Sequence, residues 1–226
     1  MTARAIFAAM TIAVKICGVT TPEALDAAIA GGARYVGFVF YPPSPRALDP
    51  VLAAELARRL PTGVRSVGLF VEPADAELDR ALSTVPLDLV QLHGQETPGR
   101  VAEIRRALSL PVMKAVRVAE AGDLDAAKDY AAVADILLFD AKPPRNVAAL
   151  PGGNGIAFDW TLLAGRRWPK PWMLSGGLDA GNVAEAIALT GAPAVDVSSG
   201  VEDRPGHKDP TKVTAFLAAA RRAMAA

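Results

Sequence analysis

The chain has 226 residues, with 24 Lys and Arg balanced by 24 Asp and Glu, so its formal net charge is zero. That balance, with no long basic run, argues against nucleic acid as a partner, and no apolar run approaches the roughly 18 residues of a membrane span. Hydrophobic residues make up 51%, enough for a substantial core, and the one cysteine cannot form an intrachain disulfide, which fits a reducing, cytoplasmic setting.

Residues 1–9 read as a flexible extension, with Met10 as an alternative start, and residues 10–226 as one catalytic domain. The apolar N-terminal stretch runs directly into the first strand, so cleavage there as a signal peptide would cut the fold. Residues 12–17 are the first of eight short runs rich in Val, Ile, Leu and Phe, the texture of parallel strands covered on both faces. Thr21-Pro22-Glu23 then opens a helix, with Thr21 as N-cap and Pro22 at its first position, and Gly31-Gly32 closes it. A strand at 35–40 leads into a proline-rich loop at 41–46, and Asp49-Pro50 opens the next helix. Strand 66–71, helix 74–83, strand 87–92, a helix opened by Thr97-Pro98, strand 112–118, helix 123–132 and strand 135–139 follow in turn. Residues 140–168 form the one long irregular piece and contain Gly152-Gly153-Asn154-Gly155. Strand 171–175, helix 179–190, strand 194–197 and a helix opened by Asp209-Pro210 complete the chain. Eight strands, each with a crossover, predict an α/β fold: a single (β/α)8 barrel of the TIM type. The alternative is a doubly wound open sheet, which usually carries its phosphate glycines after the first strand, whereas here they follow the last two.

In such a barrel the chemistry sits at the carboxyl ends of the strands. Gly176 and Gly177 follow strand seven, and Asp196, Ser199 and Gly200 end strand eight, the two loops in which barrels hold a phosphate. Tight turns needing positive φ are the other use of these glycines. Asp140 ends strand six after an apolar run, where burial can lift a carboxyl pKa and suit it to general acid work; capping, or pairing with Lys142, is its alternative role. Cys17 ends strand one. A free cysteine is ordinarily a small buried hydrophobe, and it becomes a base only as thiolate, a form that Lys15 or another nearby cation would favour. Arg46, in the stiff loop Pro42-Pro43-Ser44-Pro45-Arg46, could present its planar cation to a ligand carboxylate or simply face water. His93 also ends a strand, and His207 lies in a polar loop. No spacing of histidines and carboxylates resembles a metal centre.

The motifs Lys15-Ile16-Cys17-Gly18, Gly37-Phe38-Val39-Phe40, Ser44-Pro45-Arg46, Val67-Gly68-Leu69-Phe70-Val71, Gln91-Leu92-His93-Gly94 and Ser198-Ser199-Gly200-Val201-Glu202 occur in order along the chain. Together with Gly153-Asn154-Gly155 and Pro205-Gly206-His207-Lys208-Asp209 they resemble the phosphoribosylanthranilate isomerases of tryptophan biosynthesis, from Met10 onward. Tyr41-Pro42-Pro43 and the first nine residues depart from that pattern. The resemblance implies an Amadori rearrangement of N-(5-phosphoribosyl)anthranilate to the 1-(2-carboxyphenylamino)-1-deoxyribulose phosphate. Asp140 would be the acid and Cys17 the base, with Arg46, His93, Gly176, Gly177, Asp196, Ser199 and Gly200 binding substrate. It implies no cofactor, a phosphorylated small-molecule partner, and a cytoplasmic monomer or homodimer. Two rival readings are the histidine-pathway aminoaldose isomerase, which carries Asp where Cys17 stands, and a barrel that binds a phosphorylated ligand without turning it over.

Overall fold

Strands that are apolar on both faces need cover on both, and a closed ring flanked by helices supplies it. The computed structural model describes residues 12–143 and 152–223. In it β1 (Ala13–Cys17), β2 (Tyr35–Val39), β3 (Arg65–Phe70), β4 (Leu89–Leu92), β5 (Val112–Val118), β6 (Ile136–Ala141), β7 (Trp172–Leu174) and β8 (Ala194–Val197) pair in sequence as a closed parallel barrel. The expected extension at residues 1–9 lies outside the described residues. The period of two along each strand divides the core. Val14, Ile16, Val36, Phe38, Leu137 and Phe139 face outward to the helices, while Val67, Leu89, Met113, Leu138 and Met173 fill the barrel's interior. A smaller apolar set, Cys17, Val39 and Leu69, closes the interior at its carboxyl end.

The helices are α1 (Pro22–Ala30), α2 (Pro50–Ala57), α3 (Asp75–Thr84), α4 (Pro98–Ala107), α5 (Ala126–Val133), α6 (Val183–Thr190) and α7 (Pro210–Arg222). Four begin as the sequence predicts, with proline in the first turn and the preceding Thr21, Asp49, Thr97 or Asp209 side chain accepting a free backbone N–H. Each such cap contributes about 1 kcal/mol relative to alanine. Two predicted helices start late. Residues 121–125 form a 3-10 turn before α5, because Asp123 Oδ2 accepts the amides of Ala119 and Glu120. Residues 179–182 form a turn before α6, because Asp179 Oδ1 takes the amides of Gly181 and Asn182.

After β6 the described residues contain one 3-10 turn, Trp160–Leu163, where the barrel repeat calls for a helix. An aromatic group packs outside this sector: the Phe139 ring lies 4.5 Å from that of Trp168 and 5.7 Å from that of Trp172, centroid to centroid. Trp160 joins the same apolar shell. Beyond β8, a 3-10 turn at Ser199–Val201 and a small hairpin, β9 (Glu202–Arg204) with β10 (His207–Lys208), precede α7. His207 is half-exposed and bonded to Asp203 at 2.8 Å. Among the described residues no helix is long and apolar enough to cross a membrane.

Candidate active site

The inward parity that fills the barrel interior continues to its carboxyl mouth, where apolar residues give way to polar ones. β1 places Lys15 and then Cys17 inward; β4 places Gln91 and then, past its last residue, His93. β6 places Asp140, and Ser175 and Ser198 follow β7 and β8. Asp140 lies inside β6, paired in register with Arg117, because the strand runs two residues further than the apolar texture predicts.

Two cavities open side by side here. One, of about 480 Å³, is lined by Val39, Tyr41, Leu69 and Val71 together with Cys17, Arg46, His93 and Asp140. The second, of about 370 Å³, is lined by Gly176, Gly177, Ser199 and the segment Gly152-Gly153-Asn154-Gly155. They share Asp140, Gly152, Gly153, Ser175, Asp196 and Ser198. An apolar-walled slot thus adjoins a polar, glycine-lined one, with titratable groups at the junction. Gly200 does not line either cavity; a Cβ there would stand 1.9 Å from the Leu178 carbonyl oxygen, so its glycine lets the β8 loop lie directly on the β7 loop. Gly177 combines both demands, with φ +66° and a Cβ position 2.6 Å from the Ala157 amide nitrogen.

His93 and Asp140 are hydrogen-bonded, Nε2 to Oδ2 at 3.0 Å. The other ring nitrogen lies 2.8 Å from Gln91 Nε2. An amide nitrogen only donates, so Nδ1 accepts, and Nε2 carries the proton and donates it to Asp140. The Ala141 amide donates to Asp140 Oδ1 at 2.9 Å, so both carboxylate oxygens are engaged. Gln91 Oε1 is buried without a partner among the described residues. A half-turn of that amide would offer Oε1 to a proton on Nδ1, so the pocket accommodates His93 as imidazole or as imidazolium.

Arg46 is not the solvated surface arginine that its polar loop allows. It is buried, and its fork grips Glu202, Nε to Oε1 at 2.8 Å and Nη2 to Oε2 at 2.9 Å. Nη2 also donates to the Gly153 carbonyl at 3.0 Å, leaving Nη1 without a partner among the described residues. Lys208 donates to Glu202 as well. Burial alone would raise the Glu202 carboxyl, but the Arg46 fork and the Lys208 ammonium hold it below the usual range. Breaking a buried ion pair typically costs about 3–5 kcal/mol. Because Lys208 remains, we expect Arg46→Ala to cost about 3 kcal/mol, which lowers Tm by about 6–12 °C in a domain of this size. A melting curve within a degree or two of wild type would show that the pair contributes little.

Lys15 is fully buried, and its ammonium donates to Asp196 Oδ1 at 2.9 Å. Burial works against its charge, but the Asp196 carboxylate and the neighbouring Cys17 hold its pKa up at about 12. Burial pushes the Cys17 thiol above its ordinary value, and the Lys15 ammonium opposes that rise.

Reading the sequence at strand ends misses Tyr41, Val39, Leu69, Ser175 and Ser198. The last two could have been found by counting two residues on from the inward Met173 and Asp196. The apolar ones carry no signal that separates a cavity wall from core.

A family model described as N-(5'-phosphoribosyl)anthranilate (PRA) isomerase matches residues 14–219. An N-(5'-phosphoribosyl)anthranilate isomerase of Rhodospirillum centenum is 68% identical over 211 residues, 93% of this chain and 99% of that one. Among solved structures, monomers of the dimeric phosphoribosylanthranilate isomerase of Thermotoga maritima superpose with a TM-score of 0.80 at 37% identity, covering 94% of this chain and 100% of that one. A phosphoribosyl anthranilate isomerase in complex with reduced 1-(o-carboxyphenylamino)-1-deoxyribulose 5-phosphate gives a TM-score of 0.81 at 36% identity, with the same coverage.

Proposed function

The chain belongs to the N-(5'-phosphoribosyl)anthranilate isomerase family, and from that premise we propose how its residues divide the work of the rearrangement it catalyses in tryptophan biosynthesis. The observation that carries the assignment is the pair of adjoining cavities, one apolar-walled and one glycine-lined, that meet at Asp140. The anthranilate ring lies in the slot of Val39, Tyr41 and Leu69, and its carboxylate meets the free Nη1 of Arg46. The phosphate takes the polar cavity between Gly177 and Ser199. The ribose then spans the junction, between Asp140 and Cys17.

Asp140 protonates the furanose ring oxygen as the C1–O bond breaks, and the anthranilate nitrogen lone pair forms the C=N bond of a Schiff base. Cys17 thiolate takes the proton from C2, and those electrons move through C1 to nitrogen, giving an enolamine. Its tautomerisation to the C2 ketone completes the change, with no atom gained or lost. His93, bonded to Asp140, orients the carboxyl and passes a proton to it between turnovers. General acid–base steps of this kind each contribute about 10²–10⁴-fold. We further propose that residues 10–226 are the catalytic unit. We place the enzyme in the cytoplasm, on its single free thiol, as a monomer or homodimer.

Following anthranilate fluorescence of the aminoaldose with purified protein tests the reading as a whole. Turnover is expected, with inorganic phosphate competing against substrate. Absence of turnover by folded protein would overturn it, and turnover without phosphate competition would remove the glycine-lined cavity from substrate binding.

A further inference from the structure

A lysine sealed inside a barrel is costly, because its charge leaves water. Lys15 is 0% exposed and sits one inward position below Cys17 on the same strand. A neutral, well-packed side chain could fill this layer more cheaply, so the ammonium calls for a role beyond packing. Gly37, beside both on β2, indicates what that role is. A Cβ there would stand 3.1 Å from Cys17 Sγ and 3.2 Å from Lys15 Nζ. Its φ is an ordinary one, so glycine supplies room rather than a special backbone, and across that room the thiol and the ammonium come together.

We propose that Lys15 is a positioning residue that favours the thiolate form of Cys17 against the burial around it, with Asp196 orienting the ammonium and Gly37 leaving the gap in which the two meet. This deepens the assignment of Cys17 as base and rests on it.

Charge accounting around the thiol supports the proposal. From β1 it faces Lys15; β2 contributes Gly37 and Val39, which carry no charge; β8 and its loop contribute Asp196 and Ser198. The Ser198 hydroxyl donates to the Cys17 carbonyl at 3.1 Å, and Lys208 of β10 reaches that hydroxyl at 3.4 Å. The stem of Arg46 lies over Gly18, and Asp140 with His93 stands across the cavity. Three cations, Lys15, Arg46 and Lys208, thus face two carboxylates already in ion pairs with them, Asp196 and Glu202.

The test titrates the thiol without substrate. Cys17 is the chain's one cysteine, so the rate of iodoacetamide labelling of the intact protein, followed by mass against pH, reports on it alone. Lys15→Met/Asp196→Asn removes both partners of the pair and leaves no orphaned charge. The variant also loses the Asp196 carboxylate, which works against the thiolate, but the ammonium acts on the thiol more strongly, so we expect the labelling midpoint to move to higher pH and the rate at pH 7.5 to fall about threefold or more. Its kcat falls in step. Gly37→Ala keeps every charge but drives the pair apart; it shifts the midpoint the same way by less, and serves if the double variant does not fold. An unchanged midpoint in the folded variants overturns the proposal, whatever kcat does. Full turnover by Cys17→Ala would instead remove the base assignment, a separate outcome because the titration is read without substrate.

Discussion

Cys17→Ala is expected to lose at least about a hundredfold in kcat, the lower end of what a positioned base contributes, while still binding the reduced product analogue. The residue is buried, 4% exposed, and truncation to alanine removes one sulfur from the small apolar set it shares with Val39 and Leu69. That change alone costs on the order of 1 kcal/mol of stability, too little to explain inactivity in a folded enzyme. Serine at this position should be equally inactive, since its hydroxyl is a far weaker acid than a thiol. A pH profile adds a second check. Burial raises the thiol in the folded protein, so the ascending limb of kcat/KM should fall on the alkaline side of an ordinary cysteine. The same shift favours the neutral thiol in the fold. Its contribution to stability is therefore present below the unfolded pKa and lost as pH rises through the folded one, and Cys17→Ala should lack that alkaline decline. Wild-type kcat in Cys17→Ala would end the assignment.

Asp140→Asn should produce a loss of similar size, at least about a hundredfold in kcat, with the fold intact. An asparagine Oδ1 can still accept the Ala141 amide. Its Nδ2 would then face His93 Nε2, and two donors cannot share one hydrogen bond. The imidazole must move its proton to Nδ1, and the Gln91 amide must turn so that its unpartnered Oε1 accepts it. The variant can thus satisfy its hydrogen bonds by reversing the whole chain, yet it cannot donate a carboxyl proton. Near-wild-type turnover would take Asp140 out of the mechanism.

Much of this was legible in the sequence, and what was not has identifiable physical causes. Proline after Thr21, Asp49, Thr97 and Asp209 marks four helix starts, because side-chain cap and fixed φ act within a few residues of each other. The late starts of α5 and α6 depend on Asp123 and Asp179 side chains folding back onto local amides, a choice that composition does not reveal. Cys17, His93 and Asp140 stand out because titratable groups at the end of apolar strands are unusual. The burial of Arg46 was hidden, since its partner Glu202 lies more than 150 residues away along the chain. A proline-rich loop looks the same in sequence whether its last residue points to water or into an ion pair. The part of Lys15 was half legible: its neighbourhood to Cys17 follows from strand parity, but the gap at Gly37 is a property of the neighbouring strand.

The aromatic group outside β6 has a spectroscopic consequence. All three tryptophans, Trp160, Trp168 and Trp172, fall within one short stretch of sequence and stand on the same sector of the barrel wall. The chain's intrinsic emission is therefore a local signal, reporting the sector whose strand carries Asp140 rather than the molecule as a whole. Anthranilate absorbs where indole emits, so a substrate seated in the slot at the barrel's mouth would act as an energy acceptor for these rings. Occupancy of the cavity could then be followed as donor quenching in the unmodified protein, with no label introduced.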